Sequence, residues 1–238
     1  MMKMQETTTG KLYDLWSRIY DHSFGKLVHR RQIRALEELR PQPGQRVLDL
    51  GVGTGLTLKH YPDNITVVGM DLSAGMLKKA AEKIDDQQLG HCQLIQGDAM
   101  QPPFADQSFD HIIITHTISV VSNPQRLLHW VRKMIKPGGR IVVLNHFQST
   151  NPLFGWCEKI ANPICVKIGW RSDLSLEECL RDVDLSVHYQ FKMNPLDVWK
   201  IVVLSDQPLG RDAARPAAKA AEDRAQNDEA LHQARASA

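Results

Sequence analysis

Between residues 12 and 28 the apolar side chains fall at Leu12, Leu15, Trp16, Ile19, Tyr20, Phe24, Leu27 and Val28. That spacing puts them on one face of a helix, which Gly25 divides in two and Pro41-Gln42-Pro43-Gly44 closes. The pattern then changes to short, almost wholly apolar runs separated by helical stretches. Strands are predicted over 46–50, 65–71, 91–96, 109–115 and 140–146. A helix is expected to start over 57–61. A second, capped by Ser73, covers 74–84, and a third over 124–134 ends at Lys136-Pro137-Gly138-Gly139. Strand and helix alternating at this rhythm predict a doubly wound, mostly parallel sheet. Two close strands follow, 183–192 and 199–205, joined through Asn194-Pro195. They read as a hairpin whose last strand is inserted antiparallel.

Two segments stand outside this rhythm. Residues 151–169 are apolar and helical in pattern, interrupted by Pro152 and Pro163. Residues 211–238 are rich in alanine and charge, with almost no large apolar side chain, which suits a disordered or marginally helical tail. The expected organisation is therefore a helical lid over 1–40, one catalytic domain over 41–210, and the tail. A length of 238 residues with 42% hydrophobic and 24% charged side chains suits one globular domain with appendages. The net charge of +2 calls for no nucleic-acid partner. No apolar run approaches the roughly 18–20 residues that span a bilayer, and the polar first ten residues lack the apolar core of a signal peptide. The four cysteines form no CxxC pair and no zinc-like spacing with histidine, so reduced thiols and no metal are expected.

The densest chemical signal is Val47-Leu-Asp-Leu-Gly51-Val-Gly53-Thr-Gly55, a buried strand running into a glycine-rich loop. Glycines let a backbone approach a ligand closely, and doubly wound sheets bind ligands at the carboxyl ends of their strands. A tight turn alone also explains such a loop. Asp71 stands 20 positions after Gly51, where an acid can accept from ribose hydroxyls or simply cap the following helix. Asp98, in Gly97-Asp98-Ala99, suits an exocyclic adenine amine or a plain strand-end turn. The loop reads GxGxG, with Leu56 where a pyrophosphate loop needs a third glycine, and no GK[ST] follows. Asp49 would repel a pyrophosphate but can hold the amino group of a methionine moiety through water.

The series Val47 to Gly55, Val68 to Ser73, Gly97 to Ala99, Pro103-Phe104 with Ser108-Phe109-Asp110, and Ile135 to Arg140 resembles the successive motifs of class I S-adenosylmethionine-dependent methyltransferases. The resemblance implies a seven-stranded α/β sheet with a reversed C-terminal hairpin. It also implies S-adenosylmethionine as cofactor: Gly51, Gly53 and Gly55 at the methionine part, Asp71 and Leu72 at ribose, Asp98 and Ala99 at adenine, and Met76 over the adenine ring. Tyr13 to Asp21, Thr117 to Pro124, Asn145-His146-Phe147 and Ile168-Gly169-Trp170 are similar to the small soluble bacterial phosphatidylethanolamine N-methyltransferases, relatives of the quinone C-methyltransferases. The substrate so implied is a phospholipid amine. A quinone precursor or other small acceptor is the alternative within enzymes, and a non-catalytic adenosylmethionine-binding module the alternative outside them.

A lipid enzyme without a span must visit the membrane from the cytoplasmic side. Lys11, Arg18, Lys26, Arg30, Arg31 and Arg34 against Asp14 and Asp21 make the N-terminal helices a basic, amphipathic candidate for an anionic surface. The same pattern also describes a helix packed on the domain with a solvated basic side. The apolar stretch over 153–170 could line a pocket for acyl chains or be an ordinary buried helix. Methyl transfer to an amine needs nucleophile, methyl and sulfonium in line, with the amine unprotonated. Candidate catalytic groups are Tyr20 on the lid and His116 and His146 at the ends of the fourth and fifth strands. Arg171, Arg18 and Lys167 are candidates for a lipid phosphate.

Overall fold

The computed structural model describes residues 26–148, 160, 171–195 and 197–207. Tyr20, Arg18, Lys167, the division at Gly25, the stretch over 151–169 apart from Ile160, and the tail lie outside them. The described chain opens with α1 (Lys26–Glu37). It continues through β1 (Arg46–Leu50), β2 (Thr66–Asp71), α2 (Ala74–Asp86), β3 (Cys92–Gln96) and β4 (Phe109–Thr115). Next come α3 (Pro124–Met134), β5 (Ile135–His146), α4 (Leu176–Leu180), β6 (Ser186–Phe191) and β7 (Trp199–Ser205). The strands form one sheet in the order β3-β2-β1-β4-β5-β7-β6. Neighbours from β3 to β5 run parallel, and β7 enters antiparallel between β5 and β6. This is the doubly wound seven-stranded sheet, with its reversed hairpin, that the alternation of elements implies.

The apolar runs are explained by burial on both faces, as a covered parallel sheet requires. One face packs Leu48, Val68, Ile112 and Val143 against Leu127, Leu128 and Val131 of α3. The other packs Val47, Val67, Ile113 and Leu144 against Ala35 and Leu36 of α1 and Ala80 of α2. Helix starts are set locally. The Ser73 side chain accepts from Met76 N–H at the start of α2, and Asn123 accepts from Arg126 N–H ahead of Pro124 in α3.

Two local expectations are corrected. The helix expected from residue 57 is a single 3₁₀ turn, Leu58–His60. Tyr61 precedes Pro62, which pushes it to extended backbone (φ −76°, ψ 142°) and stops the helix. Strand β5 starts at Ile135, ahead of the glycines, because Ile135 pairs with Phe109 before a register shift leads to the His111–Arg140 pair.

Helix α1 is fastened to the far side of the sheet by polar contacts. Glu38, fully buried, is ion-paired with Arg34 and accepts from Tyr189 Oη–H at 2.8 Å, while its backbone carbonyl accepts from Arg140. The Arg34 guanidinium also lies over the Phe191 ring, and Arg31 pairs with Asp197. Two of the six cations counted toward a basic outer face therefore point inward, to acids and aromatic rings. Among the described residues no helix is long and apolar enough to cross a membrane.

Candidate cofactor cleft

Four strand ends converge on one cleft. Its lining comprises Leu50, Gly51 and Gly53 after β1; Met70, Asp71, Leu72, Ser73 and Met76 around the β2–α2 junction; Gly97, Asp98 and Ala99 after β3; and Thr115, His116, Thr117, Val120 and Val121 after β4. Of the residues expected at a cofactor, Gly51, Gly53, Asp71, Leu72, Met76, Asp98 and Ala99 are brought together here. Gly55 and Asp49 are not in the lining. A Cβ at Gly55 would meet Leu58 and Ala80, so this glycine packs the loop on α2.

The loop is shaped by its neighbours. Met70 O accepts from both Gly51 N–H and Val52 N–H, and Lys83 Nζ donates to Thr54 O at 2.7 Å. One Asp71 oxygen accepts from Gly53 N–H and the other from Ser73 N–H, each at 2.9 Å. The Asp71 carboxylate thus ties the loop to the residue that caps α2, Ser73, and it lines the cleft. Gly51 has φ +84°, and a Cβ there would stand 1.9 Å from Thr117 Oγ1. Gly53 has φ +58°, but a Cβ on it would meet nothing within 4 Å. At Gly53 the missing side chain leaves space for a ligand; at Gly51 it lets the β4 wall close on the loop. Asp98 Oδ1 accepts from Met100 N–H, which turns the chain after β3.

Asp49 lies beneath the loop, 2% exposed. Its Oδ2 accepts from Tyr61 Oη–H at 2.9 Å and Thr57 Oγ1–H at 3.3 Å, whereas Oδ1 has no hydrogen-bond partner among the described residues. Burial raises its pKa from 3.8 to about 6; the two hydroxyls oppose the rise and the charge of Asp71 adds to it. An unsatisfied buried acceptor under a glycine loop fits a ligand carrying an ammonium group. The open space at Gly53, the acids after β2 and β3, and the apolar Leu72, Met76 and Ala99 between them fit a nucleoside. Together these match S-adenosylmethionine. Among the described residues no group of three or more His, Cys, Asp or Glu is placed to hold a metal ion.

The histidines separate. His116 is in the β4 wall of the cleft with φ 61°, a left-handed conformation costing a non-glycine residue roughly 1–2 kcal/mol. Burial, with the charge of Arg31 acting the same way, lowers its pKa to about 3, so the ring is neutral at physiological pH. His146 is outside the lining, its Nδ1 2.9 Å from Val198 O. His29 of α1 is half-buried against His60, with ring centroids 5.3 Å apart. Arg171 is outside the lining as well. Its N–H donates to Ser119 O and its Nε bonds Asp173 at 3.1 Å. Sequence reasoning missed Thr117, Val120 and Val121 as wall residues and Trp199 behind His116. Thr117 meets Gly51 only through the β1–β4 pairing, which no local pattern encodes.

Residues 48–143 match the methyltransferase domain family. A phosphatidylethanolamine N-methyltransferase of Cereibacter sphaeroides is 34% identical over 193 residues, covering 81% of this chain and 94% of that protein. A demethylmenaquinone methyltransferase of Renibacterium salmoninarum is 40% identical over 114 residues, covering 48% of this chain and 45% of that one. Among solved structures, the [4+2]-cyclase SpnF superposes with a TM-score of 0.72 at 19% identity, covering 88% of this chain and 98% of that one. The chain belongs to the class I S-adenosylmethionine-dependent methyltransferases, in the family of the Cereibacter enzyme. It is accordingly an enzyme that takes its methyl group from S-adenosylmethionine.

The two glycines give contrasting variants. Gly51→Ala is expected to lose more than about 1 kcal/mol of stability in urea unfolding, from strain and the Thr117 collision together. Gly53→Ala, strained by its positive φ but colliding with nothing, should cost roughly 1–2 kcal/mol, clearly less than Gly51→Ala, and should in addition weaken cofactor binding by calorimetry. Equal effects of the two on stability would contradict the assignment of space at Gly53. The Asp49 carboxyl holds its proton more tightly folded than unfolded. Stability from this group is therefore full at low pH and falls as pH rises from about 4 through about 6. Asp49→Asn, which keeps an acceptor for Tyr61 and Thr57, should melt above the wild type at pH 8 (roughly two units past the Asp49 midpoint). The gap should close on acidification; a constant gap would contradict the burial account.

Proposed function

We propose that this enzyme methylates the amine of phosphatidylethanolamine, and of its mono- and dimethyl forms, toward phosphatidylcholine at a membrane surface. The observation that supports this reading best is the match to the Cereibacter enzyme over 94% of that protein's length, against 68% of a demethylmenaquinone methyltransferase of Lactobacillus johnsonii and 45% of the Renibacterium one. The latter's higher local identity favours a second reading, methylation of a quinone precursor at carbon.

In the proposed complex Asp71 accepts from the ribose hydroxyls and Asp98 from the adenine amine. Met76, Leu72 and Ala99 flank the base. The backbone at Gly51 and Gly53 follows the methionine part, and Asp49 Oδ1 receives its ammonium through water. When bound, the cofactor supplies an electrophilic methyl on sulfonium sulfur. The chain's task is then to orient an unprotonated acceptor and exclude water. His116, neutral in the wall, offers a nitrogen acceptor that aligns an amine N–H. It is too weak a base to take the ammonium proton itself, so the amine arrives already deprotonated or loses its proton to solvent. Arg171, held at the β4 wall through Ser119, is assigned to the lipid phosphate. Cations of the N-terminal segment would draw the protein to an anionic bilayer.

Radiolabelled S-adenosylmethionine is supplied with phosphatidylethanolamine vesicles and, separately, with demethylmenaquinone. Label in mono-, di- or trimethylated lipid, lost in Asp98→Ala, is the expected result. Label in the quinone alone would overturn the lipid reading in favour of the second.

A further inference from the structure

His116 holds a backbone conformation that its residue type disfavours, so its surroundings must keep it there. Its N–H donates to Leu144 O at 2.8 Å. Trp199, the first residue of β7, meets the imidazole edge to face, with ring centroids 6.2 Å apart and planes at 89°. The guanidinium of Arg31, from α1, lies 4.6 Å from the centre of the Trp199 ring. Arg31 Nε–H is in turn 3.0 and 2.9 Å from the two oxygens of Asp197. The Asp197 side chain is 1% exposed, and its Oδ1 also accepts from Trp199 N–H at 3.2 Å. Asp197, Arg31, Trp199 and His116 form one continuous stack. It joins the β6–β7 turn, the first described helix and the β4 wall of the cleft.

A buried carboxylate gripping a guanidinium is a rigid support, since breaking it strands a charge out of water. The planar guanidinium also suits stacking on an aromatic ring. Trp199 is thus held by Arg31 on its ring and by Asp197 at its backbone N–H, and it abuts His116, the histidine of the cleft lining among the described residues. We propose that Trp199 is a positioning residue for methyl transfer: held by Arg31 and Asp197, its ring sets the direction of the His116 imidazole at the methyl end of the cleft. Strand order supplies the placement. Asp98 follows β3, Asp71 β2, Gly51 β1 and His116 β4, in that sequence along the sheet edge. With adenine at β3 and ribose at β2, as proposed above, the methyl group falls between β1 and β4. The inference rests on that cofactor orientation and not on which acceptor is methylated.

Orientation matters because an imidazole aligns its partner through a single nitrogen lone pair. A swing of the ring moves that nitrogen by an ångström or more, and misplacement on that scale costs on the order of a hundredfold in rate. Among the described residues the charge that acts on the ring is that of Arg31 from α1, itself paired with Asp197 of the β6–β7 turn. His146 on β5 stands opposite Trp199 in the strand pairing, with its Nδ1 directed to Val198 O.

The test uses the full chain labelled with ¹⁵N-histidine, with the His116 signals assigned by their loss in His116→Gln. In the wild type, ring-current shifts from Trp199 and absence of titration above about pH 5 are expected, because the His116 pKa is about 3. In Trp199→Leu the His116 ring resonances should lose the ring-current shift, and the ring should titrate closer to the ordinary histidine value of about 6.5. Cofactor affinity by calorimetry should stay within about twofold (under roughly half a kcal/mol by the affinity scale). The kcat for phosphatidylethanolamine or demethylmenaquinone, whichever the wild type methylates, should fall roughly tenfold to a hundredfold, with Trp199→Phe recovering most of it. A folded Trp199→Leu protein whose His116 shifts and titration match the wild type overturns the proposal, as does an unchanged kcat. The resonance readout needs no acceptor, so failure of the lipid reading leaves it intact. If Trp199→Leu does not fold, Arg31→Lys keeps the charge but loses the planar stack. The same shifts, titration and kcat are then measured on it, and values matching the wild type overturn the proposal in the same way.

Discussion

One carboxylate organises the cleft. Asp71 ends β2 and divides its two oxygens between Gly53 N–H in the glycine loop and Ser73 N–H at the head of α2. A loop with three glycines at positive φ has little conformational preference of its own. The charge-assisted bonds to Asp71, with Met70 O beneath Gly51 and Val52, choose one shape among many. The same acid lines the cleft, so the group that arranges the loop is also the one proposed to accept from the ribose hydroxyls.

The rest of the site is built outward from that point. On one side Asp98 closes the turn after β3. On the other, the β4 wall comes close enough that Gly51 must lack a side chain to admit Thr117. Beneath the loop, Asp49 is kept in an environment that disfavours its charge, its Oδ2 bonded by Tyr61 and Thr57 while Oδ1 has no partner among the described residues. In the proposed complex the ammonium group of the cofactor, reaching Oδ1 through water, would relieve that cost. Helix α1 braces the opposite edge through Arg31 and Arg34, side chains that face acids and rings rather than solvent.

The sheet, and the convergence of most of the singled-out residues on one cleft, were legible in the sequence because their signals are local. Val47 to Gly55 and Ile65 to Ser73 each show a buried strand turning into a polar or glycine-rich end, and the fold sets such ends side by side at one edge. Elements decided by distant partners were not legible. Pro62 and the pull of Asp49 on Thr57 and Tyr61 reduce an expected helix to one 3₁₀ turn. His116 and His146 look equivalent as strand-end histidines. The left-handed turn at His116 directs one into the cleft, while the β5–β7 pairing carries the other toward Val198. Arg31 reads as a surface cation until Asp197, 166 positions away, is placed beside it.

The central claim is that the cleft organised by Asp71 is where S-adenosylmethionine binds. Calorimetric titration of the cofactor into the wild type and into Asp71→Ala, each shown by circular dichroism to be folded, tests it most directly. Losing hydrogen bonds to a charged acceptor is expected to weaken binding by about tenfold to a hundredfold. A folded Asp71→Ala protein that binds S-adenosylmethionine as tightly as the wild type would contradict the account.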